Sequence, residues 1–340
     1  MRRVICFDDV LLEPKYSEIR SRVDIDLSDT LFAEPLLNFS LPIISAPMDT
    51  VTESEMAVAM HRSGGLGIIH RYNSIDEQAA LVHDASMAGM CNVGAAIGVS
   101  GEYLDRATAL YDVGANLLCI DIAHGHHKMM RDALHNLREV FGDKVHLMAG
   151  NVATLEAFND LADWGAHSVR VGVGGGSICS TRVQTGHGVP TLQSVIDCAR
   201  SDRDVGLIAD GGIKNPGDMV KALAAGADFV MCGSLLAGTD ETPGKIVYFD
   251  GEKSKIYRGM ASREAQTSWR NRIGSVEGVS TMVAMRGPVS DVLHELEWGL
   301  RSGLSYSGAN NLFELRMRCN FLEQTHASQA ESLPHALLKL

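Results

Sequence analysis

The sequence has no apolar run approaching the roughly 18 residues that a membrane-spanning helix needs, so no membrane partner is expected. It has no CxxC pair. The seven cysteines, Cys6, Cys91, Cys119, Cys179, Cys198, Cys232 and Cys319, are odd in number and scattered, which favours reduced thiols over a disulfide framework or a zinc site. It also lacks a basic stripe: 30 Lys and Arg against 42 Asp and Glu give a formal charge of −12, so no nucleic-acid partner is expected. An anionic ligand must therefore be held by local dipoles and a few placed cations. No G-x-G-x-x-G opens a first strand–helix unit, which argues against a doubly wound dinucleotide fold. The N-terminus, MRRVICFDDVLLEP, meets Asp8 and Asp9 before any long apolar stretch, so a secretory signal is not expected and a cytoplasmic location is.

What is present is an alternation. From Leu41 onward, eight short apolar runs (LPIISAP, GLGIIH, CNVGAAIGV, ANLLCIDIA, VHLMAG, HSVRVGV, VGLIAD and DFVMCG) are separated by amphipathic stretches. Glu53–Ser63, Ile75–Met87, Glu102–Val113, Lys128–Phe141 and Leu155–Trp164 return apolar residues every three or four positions, as helices do. Strand–helix alternation of this count predicts an α/β fold, a (β/α)8 TIM barrel over residues 1–340 as one domain, followed by a C-terminal flap and tail. In such a barrel the strand C-terminal ends form one mouth, here carrying Met48-Asp49, His70-Arg71, Asp121, Gly150-Asn151, Asp210-Gly211-Gly212 and Gly233-Ser234.

The sixth run opens into VGVGGGSICSTRVQTGHGV (171–189), around which the chemistry is expected to be organised. Its glycines permit a tight loop that turns amides and carbonyls inward. Cys179 sits there among Ser177, Ser180, Thr181 and Arg182, and a neighbouring cation favours the thiolate that attacks. The alternative is a surface turn with Cys179 a small buried apolar residue. Asp210-Gly211-Gly212 and Gly233-Ser234 follow the seventh and eighth runs, where barrels commonly bind phosphate through backbone amides, although tight turns would read the same. Beyond the barrel, Tyr248–Lys255 predicts a hairpin with Asp250-Gly251 at its turn. Residues 261–280, polar and without apolar periodicity, predict a mobile flap. Val289–Gly299 predicts a helix, and Gln324–His335 a tail ordered by a neighbouring subunit.

These motifs, with FDDVLLEP, SAPMDTVTE, GGLGIIHR, IDIAHGHHKMM, AGNVAT, IADGGIKNPGD, VMCGSLLAGTDETPG, YRGMAS and LRSGLSYSGA in the same order, resemble the family of IMP dehydrogenases and GMP reductases along nearly the whole chain. The resemblance implies a purine nucleoside monophosphate substrate, a homotetramer, and a cysteine that attacks the purine C2 carbon. By matched motif, Cys179, Thr181 and Glu277 are the catalytic set. Ser177, Gly211, Gly212, Gly233, Ser234 and Tyr257 belong to the phosphate end of the substrate, Asp210 to its ribose, and Gly259, Met260 and Ala261 to its base. Asp121, Ile122, Ala123, Val173 and Gly174 flank the nicotinamide. Ser21, Arg22, Tyr306, Ser307 and Gly308 meet the rest of the cofactor across a subunit boundary. Carbonyls of Gly174, Gly176 and Cys179 form a potassium site. His124 and His126 are read as structural or supporting.

Within the family, three features resemble the reductases, which use NADPH to convert GMP to IMP and ammonia. No regulatory module interrupts the chain after Ala85–Met90, Trp269-Arg270-Asn271-Arg272 stands in the flap without the arginine–tyrosine pair of the dehydrogenases, and Thr185-Gly186 follows the cysteine loop. FDDVLLEP, SAPMDTVTE and the late ESLPH are closer to dehydrogenase wording. The alternative is therefore a dehydrogenase without regulatory modules, using NAD to make XMP. A non-catalytic purine-nucleotide-binding barrel and a sugar-phosphate enzyme are the readings from other classes.

Overall fold

The structure, a computed structural model, describes residues 1–31, 36–270 and 273–334. Three short N-terminal strands, β1 (Val10–Leu12), β2 (Asp29–Leu31) and β3 (Leu37–Phe39), precede a closed parallel barrel. Its strands are β4 (Ile43–Ser45), β5 (Leu66–Ile69), β6 (Gly94–Ile97), β7 (Leu117–Asp121), β8 (His146–Val152), β9 (Ser168–Val171), β10 (Gly206–Asp210) and β11 (Phe229–Cys232). They neighbour one another in chain order, and β11 closes on β4 with Val230 opposite Ile43. The eight runs read from the sequence are these eight strands. They read as continuous apolar runs because parallel strands in a barrel are covered on both faces.

Helices α1 (Ser54–Arg62), α2 (Ile75–Met87), α3 (Tyr103–Asp112), α4 (Lys128–Phe141), α5 (Leu155–Asp163), α6 (Thr181–Thr185), α7 (Thr191–Cys198) and α8 (Pro216–Ala224) fall between strands. Their starts are written locally: Ser74 and Glu77 form a reciprocal cap on α2, Thr154 caps α5, and Asn215 caps α8 ahead of Pro216. Residues 88–93 lead from α2 directly to β6. Apolar side chains fill two layers. One lies between strands and helices; the other fills the barrel, where Ile44, Ile68, Met148, Ile208 and Phe229 meet the β2–β3 hairpin through Leu31, Leu37 and Phe39. Phe39 stands edge-on to Phe229 at 5.4 Å, so this hairpin plugs the end opposite the mouth.

The expected hairpin is β12 (Val247–Phe249) and β13 (Glu252–Arg258), with Asp250 and Gly251 both at positive φ, as a tight two-residue turn requires. β13 pairs in turn with β14 (Ser280–Ala284), so residues 259–279 form the connection between two paired strands. Within that connection, which contains the expected flap, helix α9 spans Arg263–Arg270. Its buried residues include Ala265 and Gln266, so the inward face carries little hydrophobic signal. Residues 271 and 272 of the expected flap motif lie outside the described residues.

One other element differs from expectation. Helix α10 (Val289–Tyr306) runs beyond Gly299 because Leu300 and Leu304 continue its buried stripe, and Gly299 and Gly303 lie directly against Pro216 and Val220 of α8. Ahead of the tail, α11 (Leu312–Arg318) leads to β15 (Phe321–Glu323), which pairs antiparallel with β1; in the tail itself Gln324 bonds backbone at Asp8 and Asp9, and α12 (His326–Glu331) follows. His335 lies outside the described residues. No helix among the described residues is long and apolar enough to cross a membrane.

Candidate active site

The barrel mouth holds a cavity of about 480 Å3. Its lining includes Cys179, Thr181 and Glu277, all of Ser177, Asp210, Gly211, Gly212, Gly233, Ser234, Tyr257, Gly259, Met260 and Ala261, and Asp121, Ile122, Ala123, Val173, Gly174 and Gly176. Ser21, Arg22, Tyr306, Ser307 and Gly308 do not line it. Ser21 caps a short turn before Asp24, while Tyr306 and Ser307 line a separate groove with Leu12 and Pro14.

Cys179 is exposed to this cavity, whereas burial pushes the Cys119 thiol up to about 11 and that of Cys198 up to about 12. Its Sγ lies 3.2 Å from Thr181 Oγ1, and Thr181 Oγ1 donates to Glu277 Oε2 at 2.9 Å. The sequence separates Glu277 from Thr181 by 96 positions, and backbone bonds bring them together. Ser180 N–H donates to the Glu277 carbonyl at 2.9 Å, Val279 N–H to Ile178 O at 3.0 Å, and Glu277 N–H to Ala261 O at 3.1 Å. Gln266 secures the approach, donating to Ala261 O and Ser275 O while accepting from Gly274 N–H. Arg182, expected beside the thiol, instead donates to Val189 O at 2.7 Å and is absent from the cavity lining.

The loop geometry explains its glycines. A Cβ at Gly172, where φ is +153°, would fall 1.8 Å from Asp210 O. Gly211 and Gly212, at φ +88° and +79°, sustain two successive left-handed residues against the Gly175–Gly176 backbone. On the same side, Tyr257 is buried with its hydroxyl 3.5 Å from Ser177 Oγ; burial raises the phenol, and hydrogen bonds from Ser177 and Ser234 oppose that rise.

The cavity wall also carries a charge network whose partners are far apart in the sequence. Arg170, buried in β9, donates to Asp121 Oδ1 and to Asp210 Oδ2, each at 2.8 Å. Asn151 also donates to Asp210 Oδ2, at 2.8 Å, and Arg71 reaches the Asp121 carbonyl at 3.0 Å. Burial alone would raise Asp121, but Arg170 and Arg71 outweigh it and hold the carboxyl below its usual range. Arg71 and Asn151 were legible as mouth residues. Arg170 was not, although an arginine inside the apolar run HSVRVGV is itself the signal of a buried pair. Arg71 also lies over Tyr72, which meets Trp269 of α9 edge-on at 5.7 Å and so links strand end and flap. His126 bonds Asp160 at 2.8 Å and stacks on Trp164, a structural placement.

Comparison with known proteins agrees with this geometry. The model of the IMP dehydrogenase / GMP reductase domain matches residues 4–335. An inosine-5'-monophosphate dehydrogenase of Nitrosopumilus maritimus is 35% identical, with 98% of each chain covered, and a GMP reductase of Leishmania major is 33% identical, covering 99% of this chain and 97% of its own. Those alignments run over 471 and 481 residues, more than the 340 here, so the reductase relative too is longer than this chain, and length does not separate the two activities. The crystal structure of a cysteine-to-alanine variant of GMP reductase from Trypanosoma brucei, in complex with guanosine 5'-monophosphate, superposes with a TM-score of 0.93 at 31% identity, covering 99% of both chains. A barrel whose mouth gathers an exposed cysteine, a threonine–carboxylate pair and glycine loops, matched over its length by these relatives, belongs to the IMP dehydrogenase and GMP reductase family of oxidoreductases, which use NAD(P)H-type cofactors.

Proposed function

We propose that the enzyme is a GMP reductase, converting GMP, NADPH and a proton to IMP, ammonia and NADP+. The chain from Cys179 Sγ through Thr181 Oγ1 to Glu277 Oε2, with steps of 3.2 and 2.9 Å, supports the covalent chemistry, and the observation that carries the reductase reading is the absence of a partner for water activation in the flap sequence. A hydroxyl bonded to a carboxylate can pass a proton to a group departing from the carbon that the thiol attacks. No tyrosine lies between Met260 and Glu277 to accompany an arginine in water activation.

In this mechanism the Cys179 thiolate forms a bond to C2 of the purine. Glu277 supplies a proton through Thr181 as the C2–N bond breaks, and the 2-amino group leaves as ammonia. NADPH, when bound, supplies a hydride to C2. Cys179 then leaves as the thiolate, with its bonding electrons returning to sulfur and IMP formed. Asp210, whose Oδ2 takes Arg170 and Asn151, offers Oδ1 to the ribose hydroxyls. Ser177, Gly212, Gly233, Ser234 and Tyr257 hold the phosphate, and the Gly259–Ala261 backbone meets the base.

The nicotinamide fits against Asp121, Ile122, Ala123, Val173 and Gly174, which line the cavity that holds the thiol. Ser21, Arg22, Tyr306, Ser307 and Gly308, lying outside that cavity, would serve the cofactor of a neighbouring subunit in a homotetramer. Potassium fits the loop where Gly174 turns at φ +79° and Gly176 O already accepts Cys179 N–H at 3.1 Å; carbonyls of Gly174, Gly176 and Cys179 would hold it and brace the loop. The seven free cysteines suit a reducing compartment, the cytoplasm.

The test is a paired assay. GMP with NADPH is expected to give sustained NADPH oxidation with stoichiometric ammonia, and IMP with NAD at most a burst of about one NADH per site. Continuous NADH production with XMP accumulating overturns the reading in favour of the dehydrogenase.

A further inference from the structure

Lys255 lies in β13 with 4% of its surface exposed, and its ammonium is spent entirely on backbone. Nζ donates to Thr239 O at 3.2 Å, Asp240 O at 2.9 Å and Thr242 O at 2.6 Å. These three acceptors match the three N–H donors of a lysine. A buried ammonium without a carboxylate in direct contact is costly, so the carbonyl cage must be built for it. The cage resembles a site for a small monovalent cation, with the lysine as its permanent occupant.

The cage stands at one end of a continuous series of turns. At the other end, Leu236 and Ala237 N–H donate to Gly233 O at 3.1 and 3.0 Å. Thr239 Oγ1 donates to Leu236 O at 2.9 Å, and Thr242 Oγ1 to Thr239 O at 2.7 Å. Carbonyls therefore converge on Lys255, while the segment begins at Gly233 and Ser234 on the nucleotide cavity. The Lys255 ammonium meets three carbonyls of this segment directly, so those carbonyl dipoles point at its charge. Tyr257, two residues along β13 and thus on the same strand face, reaches the Ser234 end. Two buried side chains of one strand consequently grip both ends of the turn.

We propose that Lys255 is a positioning residue, a fixed internal cation that closes the carbonyl end of residues 233–242 and so holds Gly233 and Ser234 in register for the phosphate of the nucleotide. This inference rests on the reading above that Gly233 and Ser234 bind phosphate. It predicts that Lys255 acts on nucleotide affinity, not on the bond-making steps at Cys179.

The test compares Lys255→Met with the parent protein for binding of GMP and of guanosine by calorimetry, and for KM and kcat with NADPH. The expected result is GMP binding and KM weakened about tenfold, guanosine binding unchanged, and kcat at saturating GMP within about twofold. Lys255→Gln, which keeps N–H donors without the charge, is expected to lose most of the same GMP affinity; Lys255→Arg is expected to retain more of it than either. If Lys255→Met does not fold, as judged by circular dichroism, Lys255→Gln supplies the contrast. Equal weakening of GMP and guanosine, or unchanged GMP affinity in a folded variant, overturns the role of Lys255. Failure of the phosphate reading itself has a separate signature: the parent protein would bind guanosine as tightly as GMP.

Discussion

One arginine held between two aspartates occurs at both ends of this barrel, with opposite electrostatic outcomes. At the mouth, Arg170 joins Asp121 and Asp210, and Asp121 is held below its usual range. At the plugged end, Arg316 meets Asp29 at 3.2 Å and Asp228 at 3.0 Å, yet burial pushes both carboxyls up, Asp228 to about 6. The difference lies in the number of cations. Arg71 adds a second positive charge beside Asp121, whereas among the described residues Arg316 is the one cation paired with the two half-buried carboxyls. The mouth thus keeps an ionised wall at neutral pH at the place proposed for a cofactor, and the closed end tolerates carboxyls that hold their protons more tightly.

Removing the cation at each end probes this contrast. Arg170→Met leaves two half-buried carboxylates at the mouth without their shared, buried partner and is expected to cost about 3 kcal/mol in urea unfolding, with loss of turnover. A cost below about 1 kcal/mol would show that the network contributes little. Arg316→Met is expected to cost no more, about 1–3 kcal/mol, with turnover of the folded enzyme preserved, because its partners lie at the opposite end from Cys179. Equal loss of activity from both variants would remove the functional distinction between the two ends.

The two ends also respond to pH with opposite sign. Asp228 has a folded pKa above its unfolded value, so its contribution to stability is fully present below about 4 and lost as pH rises through about 6. Asp228→Asn is therefore expected to raise unfolding free energy at pH 8 by about 1 kcal/mol, a gain that shrinks between pH 6 and 4. Asp121, lowered on folding, contributes in the opposite sense: its stabilisation is present above the usual carboxyl range and lost as pH falls. The smallest effect near neutrality is expected from His146. Burial lowers it to about 3, so its neutral form stabilises the fold above about 6.5 and that contribution is lost in acid. His146→Leu is expected to change stability by less than about 1 kcal/mol at pH 7 but to flatten its fall between pH 6.5 and 4. An unchanged slope in thermal melts would assign acid sensitivity elsewhere, His167 being the next group, lowered to about 4 by burial and Arg138.

Legibility in the sequence follows the same division between apolar and polar burial. The eight strands and the glycine loops can be read because continuous apolar runs and left-handed turns leave local signatures. Cys179, Thr181 and Glu277 could be named by motif, but their meeting depends on the backbone pairing of residues 178–180 with 277–279, which composition does not encode. Helix α9 has too little apolar surface to read: Gln266 turns inward and bonds backbone. Arg170 and Lys255 are harder still, since each is a cation buried by partners far along the chain or scattered along a loop. Their roles appear only once barrel closure and the β13 register are known.

In the proposed mechanism the mouth works through a covalent bond between Cys179 and the purine. Its most direct test is Cys179→Ala, assayed with GMP and NADPH alongside GMP binding. Turnover is expected to fall below about one part in a thousand while GMP binding stays within about tenfold, since positioning cannot replace a nucleophile. Retention of more than a few per cent of the parent rate would contradict that mechanism.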